Sequence, residues 1–218
     1  MRRSRHRFRG RYDLRGVGDL GRRLPAWHWG QAADGGWRVL DDNAASDADT
    51  WLAYALLNAG RLWDDPSLTT QGQALAALAL EREAAELPGL GTTLLPAPTG
   101  FAHDDRWTLN PSYLPLQLLR GLATLTGRAE WSRIAATSLR VLRESAPRGL
   151  APDWIEYSAR QGFAAAGSET RGSYAAIRVY LWVGMLPPGD PARAQLQSWF
   201  RPALRGLART APAALGAK

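Results

Sequence analysis

The stretch ASDADTWLAYALLNAGRLW, residues 45–63, carries the clearest structural signal of the sequence. Ser46 or Asp47 is a natural N-cap, and acidic residues follow in the first turn, where the helix dipole favours them. Apolar residues then recur at helical spacing, which predicts a helix with one packed face. The expected members of that face are Ala48, Leu52, Ala55, Ala59 and Leu62.

The rest of the chain also has helical spacing, separated by Gly- and Pro-containing connections. Pro66 suits the first turn of a second helix that runs to about residue 86. Residues 24–43 and 87–110 are expected to be loops, the second one long and ordered. No convincing alternation typical of strands occurs, so the sequence predicts an all-α fold of six or seven helices. Further helices are expected at about 111–125, 129–145, 168–186 and 191–208.

Composition limits the classes of protein to which the chain can belong. The 218 residues suffice for one domain, and 45% of them are hydrophobic. No run of about 18 apolar residues is present, so no membrane span is expected. There are no cysteines, which excludes disulfides, thiolate metal sites and cysteine nucleophiles.

The net charge of +7 comes almost entirely from residues 1–17, which hold seven arginines and one aspartate. The remainder of the chain is nearly neutral, so we expect no nucleic-acid partner. The basic segment has no apolar stretch of signal-peptide length after it. A mis-assigned start, a frame-shifted segment and a disordered arm all remain open; we expect a disordered tail over residues 1–17.

Polar and aromatic side chains share helix faces in two places. Asp47 and Trp51 fall one turn apart, and Tyr174 and Arg178 have the same spacing on a late helix. A buried arginine needs a partner, and Asp47 is a candidate. Flat apolar rings beside hydrogen-bonding groups suit a sugar polymer. The alternatives are a capping aspartate on a surface helix and aromatic rings that simply fill a core.

Five ordered motifs then resemble glycoside hydrolase family 8, in the form of the endoglucanase encoded with bacterial cellulose synthases. The stretch at 45–63 resembles the family signature, with Leu52 as a mild departure. The resemblance covers about residues 18–186. The other four motifs are LPAWHWG (24–30), LNPSYLP (109–115), APRGLAPDW (146–154) and GSYAAIRVYLWVGM (172–185).

The resemblance implies an (α/α)6 barrel, here over residues 18–218 and incomplete because its first helices are missing. Such a partial barrel is expected to be open and marginally stable, or to need a partner chain. It implies inverting hydrolysis of β-1,4-glucan (cellulase activity), with no cofactor and no metal. Asp47 matches the aspartate to which the family gives a catalytic role at the central sugar subsite. The residues that match substrate contacts are Trp51, Asn110, Tyr113, Trp154, Tyr174 and Arg178.

Two departures from the family pattern concern the acid and the base that inversion requires. The family's general acid is a glutamate in a Ser-Glu-Gly element, and none occurs in these residues. Its proposed base is an aspartate after the tyrosine of the GSY element, where this chain has Ala175. The resemblance therefore implies a glucanase whose catalysis is impaired or absent. A non-catalytic β-glucan-binding protein and an inert gene fragment are the alternatives.

Partners and location follow from the resemblance alone. It implies β-1,4-glucan (cellulose) chains as the ligand and the cellulose synthase machinery as a further candidate partner. The family is periplasmic or secreted, although the sequence before the first motif does not have the form of a signal peptide.

Overall fold

The computed structural model describes residues 23–166, 172–203 and 205. Both the expected basic tail and the first residues of the helix expected at 168–186 lie outside these ranges. Among the described residues there are six α-helices, which form three hairpins along the chain. Their bounds are α1 Ser46–Trp63, α2 Pro66–Glu83, α3 Leu116–Thr126, α4 Ala129–Glu144, α5 Tyr174–Met185 and α6 Arg193–Trp199. No described helix has the length and apolar character required to cross a membrane.

The prediction that the chain contains no strands is wrong. Within the described ranges, eight short strands form three small antiparallel sheets, in the orders β1-β2, β3-β4 and β5-β6-β7-β8. The first sheet precedes α1, and the strands of the other two lie in the connections between helices. Each strand has only two to five residues, too few to give a readable alternation. Their bounds are β1 His28–Gln31, β2 Trp37–Asp41, β3 Ala84–Leu87, β4 Gly91–Leu94, β5 Ala102–His103, β6 Arg106–Leu109, β7 Ile155–Ser158 and β8 Gly162–Ala165.

The expected long loop at 87–110 is therefore mostly hairpin. The turn between β3 and β4 contains Gly89 at φ 78°, and β4 begins at Gly91 with φ 111°. Both angles lie in the region that favours glycine, because a Cβ atom would clash there. The β3–β4 hairpin directly follows α2, so Glu83 at the end of α2 lies beside the end of β4.

The packed face of α1 differs from the expected one. Ala48, Ala55 and Leu62 are exposed. A close approach to α2 explains the shift, because a Cβ atom on Gly72 would lie only 2.9 Å from the backbone nitrogen of Leu57. The helices thus meet along small residues rather than along the larger apolar ones. The buried residues of α1 are Ser46, Asp49, Thr50, Ala53, Leu57 and Gly60.

Two hydrophobic clusters form the core. The larger one joins α1–α4 with β3, β4, β6 and β7, and Trp131 is fully buried in it. The smaller one packs α5 and α6 against the ends of α3 and α4, and Phe200 is fully buried in it. The helical hairpins are of the kind that an (α/α) barrel uses; closure of six hairpins into a barrel stays a prediction. Between the two clusters, the start of α1 meets α5.

Candidate functional site

An ion pair joins the start of α1 to α5. Arg178 Nη1 donates to Asp47 Oδ2 over 2.6 Å. The two side chains are only partly exposed, at 36% and 17%. The structure thus contains the pairing that a buried arginine and a nearby carboxylate were expected to make, and it brings together two residues separated by 131 positions.

The first turn of α1 holds Asp47 in place through backbone contacts. Ala45, rather than Ser46 or Asp47, occupies the N-cap position, and no side chain caps the helix there. The expected N-cap was therefore wrong. Ser46 is buried instead, and its N–H donates to the carbonyl of Pro96 over 2.9 Å. This contact fixes the helix start against the segment that follows β4.

Tyr113 extends the ion pair into a three-residue group. The guanidinium of Arg178 lies over the ring of Tyr113, 5.2 Å from its centroid, a distance typical of a cation–π contact. Burial, and then the negative charge of Asp47, raises the pKa of the Tyr113 hydroxyl, although Arg178 opposes the shift. Tyr113 therefore stays a neutral hydrogen-bonding group beside the ion pair.

Trp51 lies one turn after Asp47 and contributes to the junction of α1 with α5. Its ring centroid is 5.5 Å from that of Trp182, whose Nε1 donates to the carbonyl of Ser112 over 2.9 Å. Trp51 also packs against the larger hydrophobic cluster. Packing thus explains much of the role of the Trp51 ring, and its predicted contact with substrate stays a prediction.

Asn110 has a structural role at the end of β6. Its Oδ1 accepts hydrogen bonds from the backbone N–H of Ser112 at 3.0 Å and from the Ser112 hydroxyl at 2.7 Å. These bonds cap the short 3-10 helix Pro111–Tyr113, which presents Tyr113 to Arg178. Because Asn110 is only 3% exposed, its predicted glucan contact gains no support from its surroundings.

An aromatic cavity of about 290 Å³ adjoins the three-residue group and shares Tyr113 with it. The ring of Trp154 stacks on Phe101, with centroids 5.8 Å apart and planes 10° apart, and lies 6.1 Å from Tyr113. Parallel aromatic faces and nearby polar groups are suitable for a pyranose ring. The lining residues are Trp27, Asp41, Asn43, Ala44, Ala45, Pro96, Ala97, Phe101, Tyr113 and Trp154.

Several of these residues had no predicted role. Trp27 lies in the LPAWHWG motif, and that motif was the one signal in the sequence that could have identified it. Phe101 follows Gly100 in the segment expected to be a loop. Asp41 and Asn43 come from the end of β2, and hydrogen bonds from the Asn43 N–H and then from the Trp27 side chain lower the pKa of Asp41.

Tyr174 is outside this arrangement. It is the first residue of α5 and 90% exposed, and it does not line the aromatic cavity. Its predicted contact with substrate stays a prediction. Arg178, one turn later on the same helix, is the residue of α5 that reaches Asp47.

The start of α5 is capped by a residue that sequence analysis missed. Asp153 accepts from the backbone N–H of Ser173 at 2.9 Å and of Ala176 at 2.6 Å, and the Ser173 hydroxyl also donates to it. Burial raises the pKa of Asp153, but the hydrogen bonds lower it by more, so the pKa lies below its ordinary value. Ala175 lies in this capped turn, three residues before Arg178, and its methyl group can neither accept nor donate a proton.

Comparison with known proteins gives one family. The family described as "Glycosyl hydrolases family 8" matches residues 11–214. An endoglucanase of Xanthomonas axonopodis pv. citri is 54% identical over 173 residues, which are 79% of this chain and 45% of that protein. An endoglucanase of Salmonella typhi is 46% identical over 85% of this chain and 50% of its own length. The chain thus spans about half the length of these relatives.

Solved structures agree with this result. The crystal structure of endo-1,4-D-glucanase from Vibrio fischeri ES114 superposes with a TM-score of 0.83 at 45% identity, covering 88% of this chain and 56% of that one. The endo-β-1,4-glucanase CMCax of Acetobacter xylinum gives a TM-score of 0.67 at 26% identity, over 88% and 61% of the two chains. On the match of its sequence to the family and on these similarities, the chain belongs to glycosyl hydrolase family 8.

Proposed function

We propose that this chain binds β-1,4-glucan at an endo-β-1,4-glucanase (cellulase) type of site, and that its capacity for hydrolysis is impaired. The observation that carries the proposal is the continuity of the Asp47–Arg178–Tyr113 group with the aromatic cavity, through the shared residue Tyr113. A glucan chain needs both kinds of surface side by side. Ring faces stack on aromatic side chains, and hydroxyl groups need charged or polar partners.

The residues of the cavity suit this ligand. Trp154 and Phe101 offer parallel rings, and Trp27 and Tyr113 are the other aromatic side chains of the cavity. Asp41 and Asn43 supply acceptors and donors for hydroxyl groups at the same cavity. Asp47 is an anionic acceptor at the junction with α5, where Arg178 limits its orientations. The relatives described as endoglucanases and as an endo-1,4-D-glucanase favour β-1,4-glucan over other polymers.

Impaired hydrolysis follows from the residue at position 175. An inverting glycosidase uses a carboxylate as a base to activate water, and that proton transfer contributes about 10²–10⁴-fold to the rate. Ala175 lies on the face of α5 that carries Arg178, since the two residues are three apart. An aspartate there would be near the Asp47–Arg178 pair, whereas alanine supplies no base. This substitution favours the second candidate function, a glucan-binding protein that does not cleave.

Three further features are part of the proposal. The described helices would belong to an (α/α)6 barrel, the cellulose synthase machinery would be a partner, and the protein would act in the periplasm or outside the cell. Each of these derives from the family resemblance and stays a proposal.

Binding is tested by titrating the chain with cellopentaose and following tryptophan fluorescence and calorimetry. We expect saturable binding in wild type and a loss of affinity of about tenfold in Trp154→Ala, because the ring removed is a stacking surface. Trp63→Ala is the control, since Trp63 is 69% exposed at the far end of α1. Absence of any heat or fluorescence change with cellopentaose would refute glucan binding. Xylopentaose, tested in parallel, distinguishes glucan from xylan.

A further inference from the structure

A buried pair of acidic side chains lies behind the candidate site. Asp49, in the first turn of α1, is 1% exposed, and Glu83, the last residue of α2, is 0% exposed. Their carboxyl groups face each other, and Asp49 Oδ2 and both carboxylate oxygens of Glu83 have no other hydrogen-bond partner among the described residues. Glucan binding and hydrolysis, as proposed above, use neither residue, so the pair needs its own explanation.

A shared proton would explain why two acidic groups are buried side by side. If both were ionised, neither could donate, and Asp49 Oδ2 and both carboxylate oxygens of Glu83 would have no hydrogen-bond partner among the described residues. Two unpaired carboxylates in contact away from water are strongly disfavoured. A protonated Glu83 that donates to Asp49 removes one charge and gives one oxygen of each group a hydrogen-bond partner, as in other carboxyl pairs that share one proton.

The charged groups around the pair do not neutralise it. On α1 the nearest is Asp47, whose negative charge acts against ionisation of both acids. Arg178 on α5 contacts Asp47 rather than the pair. On β3, Glu86 points to the surface and accepts from the Thr92 hydroxyl. None of the ion pairs within the described ranges brings a cation to Asp49 or Glu83.

Backbone hydrogen bonds connect the segments that carry the pair to the start of the helix that holds Asp47. Asp49 and Ser46 face the same side of α1, and Ser46 N–H bonds to Pro96 just beyond β4. The N–H of Leu95 donates to the carbonyl of Glu83 over 2.8 Å. The first turn of α1, the end of α2 and the strand that returns are therefore joined around the two carboxyl groups.

We propose that Asp49 and Glu83 share one proton and that this buried acid pair is a positioning site for Asp47. Loss of the proton would place a second negative charge behind the first turn of α1 and separate it from α2. Asp47 would then be displaced from Arg178 and from the cavity. The positioning role rests on the proposed glucan function, whereas the shared proton does not.

The pH dependence of stability tests the shared proton without any ligand. Burial raises the pKa of both Asp49 and Glu83 in the folded protein, so the unfolded chain releases protons at lower pH than the folded one. The contribution of the pair is therefore largest below the unfolded pKa of about 4 and is lost as pH rises through the folded values. Glu83→Gln keeps a donor and cannot ionise.

We expect the melting temperature of wild type to fall by several degrees, relative to that of Glu83→Gln, between about pH 5 and pH 9. Glu86→Gln is the matched control on β3, and its curve should run parallel to that of wild type. Parallel curves for wild type and Glu83→Gln would overturn the shared proton. Asp49→Asn replaces Glu83→Gln in this comparison if the latter does not fold.

Positioning is tested by following the carboxyl carbon of Asp47 by NMR as pH is raised. In wild type we expect the chemical shift of this carbon to change in a second step that coincides with ionisation of the pair. In Glu83→Gln we expect no second step. A single step in wild type would overturn the positioning role. The affinity for cellopentaose should fall over the same pH range in wild type, by about tenfold for a coupling of one pKa unit, and remain constant in Glu83→Gln. If no variant binds at any pH, the proposed function fails, and the melting and NMR results still decide the inference.

Discussion

Arg178 Nη1 lies 2.6 Å from Asp47 Oδ2, so a single ion pair ties α5 to the first turn of α1. The two helices belong to different hydrophobic clusters. The pair therefore contributes to the relative placement of the two clusters as well as to the candidate site. Its contribution to folding can be measured separately from any role in binding.

A double-mutant cycle measures that contribution. We expect Asp47→Asn, Arg178→Gln and the double variant to give a coupling of about 1–2 kcal/mol in urea unfolding, because the pair is partly shielded from water. The pair Arg140–Glu144, whose side chains are 45% and 46% exposed, is the control. Exposed pairs of this spacing contribute about 0.3–0.5 kcal/mol. Equal coupling energies for the two pairs would contradict the structural role assigned to Asp47 and Arg178.

Introducing a carboxylate at position 175 should raise the rate of hydrolysis. The appropriate substrate is a β-cellotriosyl fluoride, because fluoride departs without a general acid and the rate then reports the base alone. We expect Ala175→Asp to hydrolyse it faster than wild type by about 10²–10⁴-fold, the usual contribution of a general base. Ala175→Asn has nearly the same shape and cannot accept a proton. Equal rates for Ala175→Asp and Ala175→Asn would contradict the proposal that wild type is impaired because position 175 supplies no base.

The cap of α5 should make stability depend on acid pH. Hydrogen bonds lower the pKa of Asp153 in the folded state, so its contribution is present above the unfolded pKa of about 3.9 and is lost as pH falls through the lower folded value. We expect Asp153→Ala to lose about 1 kcal/mol at neutral pH, the typical contribution of an N-terminal cap, and less in strong acid. Thermal melting from neutral to acid pH measures the difference.

Asp105→Ala serves as the surface control for that experiment. Its carboxylate is 58% exposed and lies 3.8 Å from Arg160. If Asp153→Ala changes the thermal stability no more than Asp105→Ala does at every pH, Asp153 does not act as a cap of α5.

The contact between α1 and α2 should not tolerate a methyl group at Gly72. The added Cβ would lie 2.8 Å from the Leu57 side chain and 3.1 Å from the carbonyl oxygen of Ala53, and a backbone cannot yield as a flexible side chain can. We expect Gly72→Ala to destabilise by about 1–3 kcal/mol, as overpacked cores do. Gly184→Ala is the matched control on α5, where a Cβ meets nothing within 4 Å.

Gly184→Ala should instead stabilise by about 0.5–1 kcal/mol, because alanine favours helix interiors. Both variants are compared by urea unfolding. Equal stability changes in the two variants would show that helix propensity, rather than the close approach, decides the effect at position 72.

Local signals in the sequence predicted part of the fold well. Pro66 predicted the start of α2, and the observed helix begins there. The stretch at 45–63 predicted α1, which spans Ser46–Trp63. The pairing of Arg178 with Asp47 could be expected because a partly buried guanidinium needs an acidic partner, and Asp47 was an available carboxylate.

Features that depend on long-range packing were not predictable in the same way. Both sides of α1 are rich in alanine and leucine, so periodicity could not decide which side meets α2; Gly72 on the partner helix decides it. Asp49 and Glu83 had no predicted relationship, since the two residues come together only once α1 and α2 have packed. The strands were missed because each is too short for its alternation to stand out.

The pairing of β6 with β7 has a consequence for the order of folding. Leu109 pairs with Ile155, and the 45 residues between them include the whole α3–α4 hairpin. Closing so long a loop costs entropy that the folded hairpin reduces by bringing its ends together. We expect α3 and α4 to form early and the sheet to form late. Phe101 and Trp154 flank that sheet, so the aromatic cavity that they line would be among the last parts to assemble on the ribosome or after dilution from denaturant.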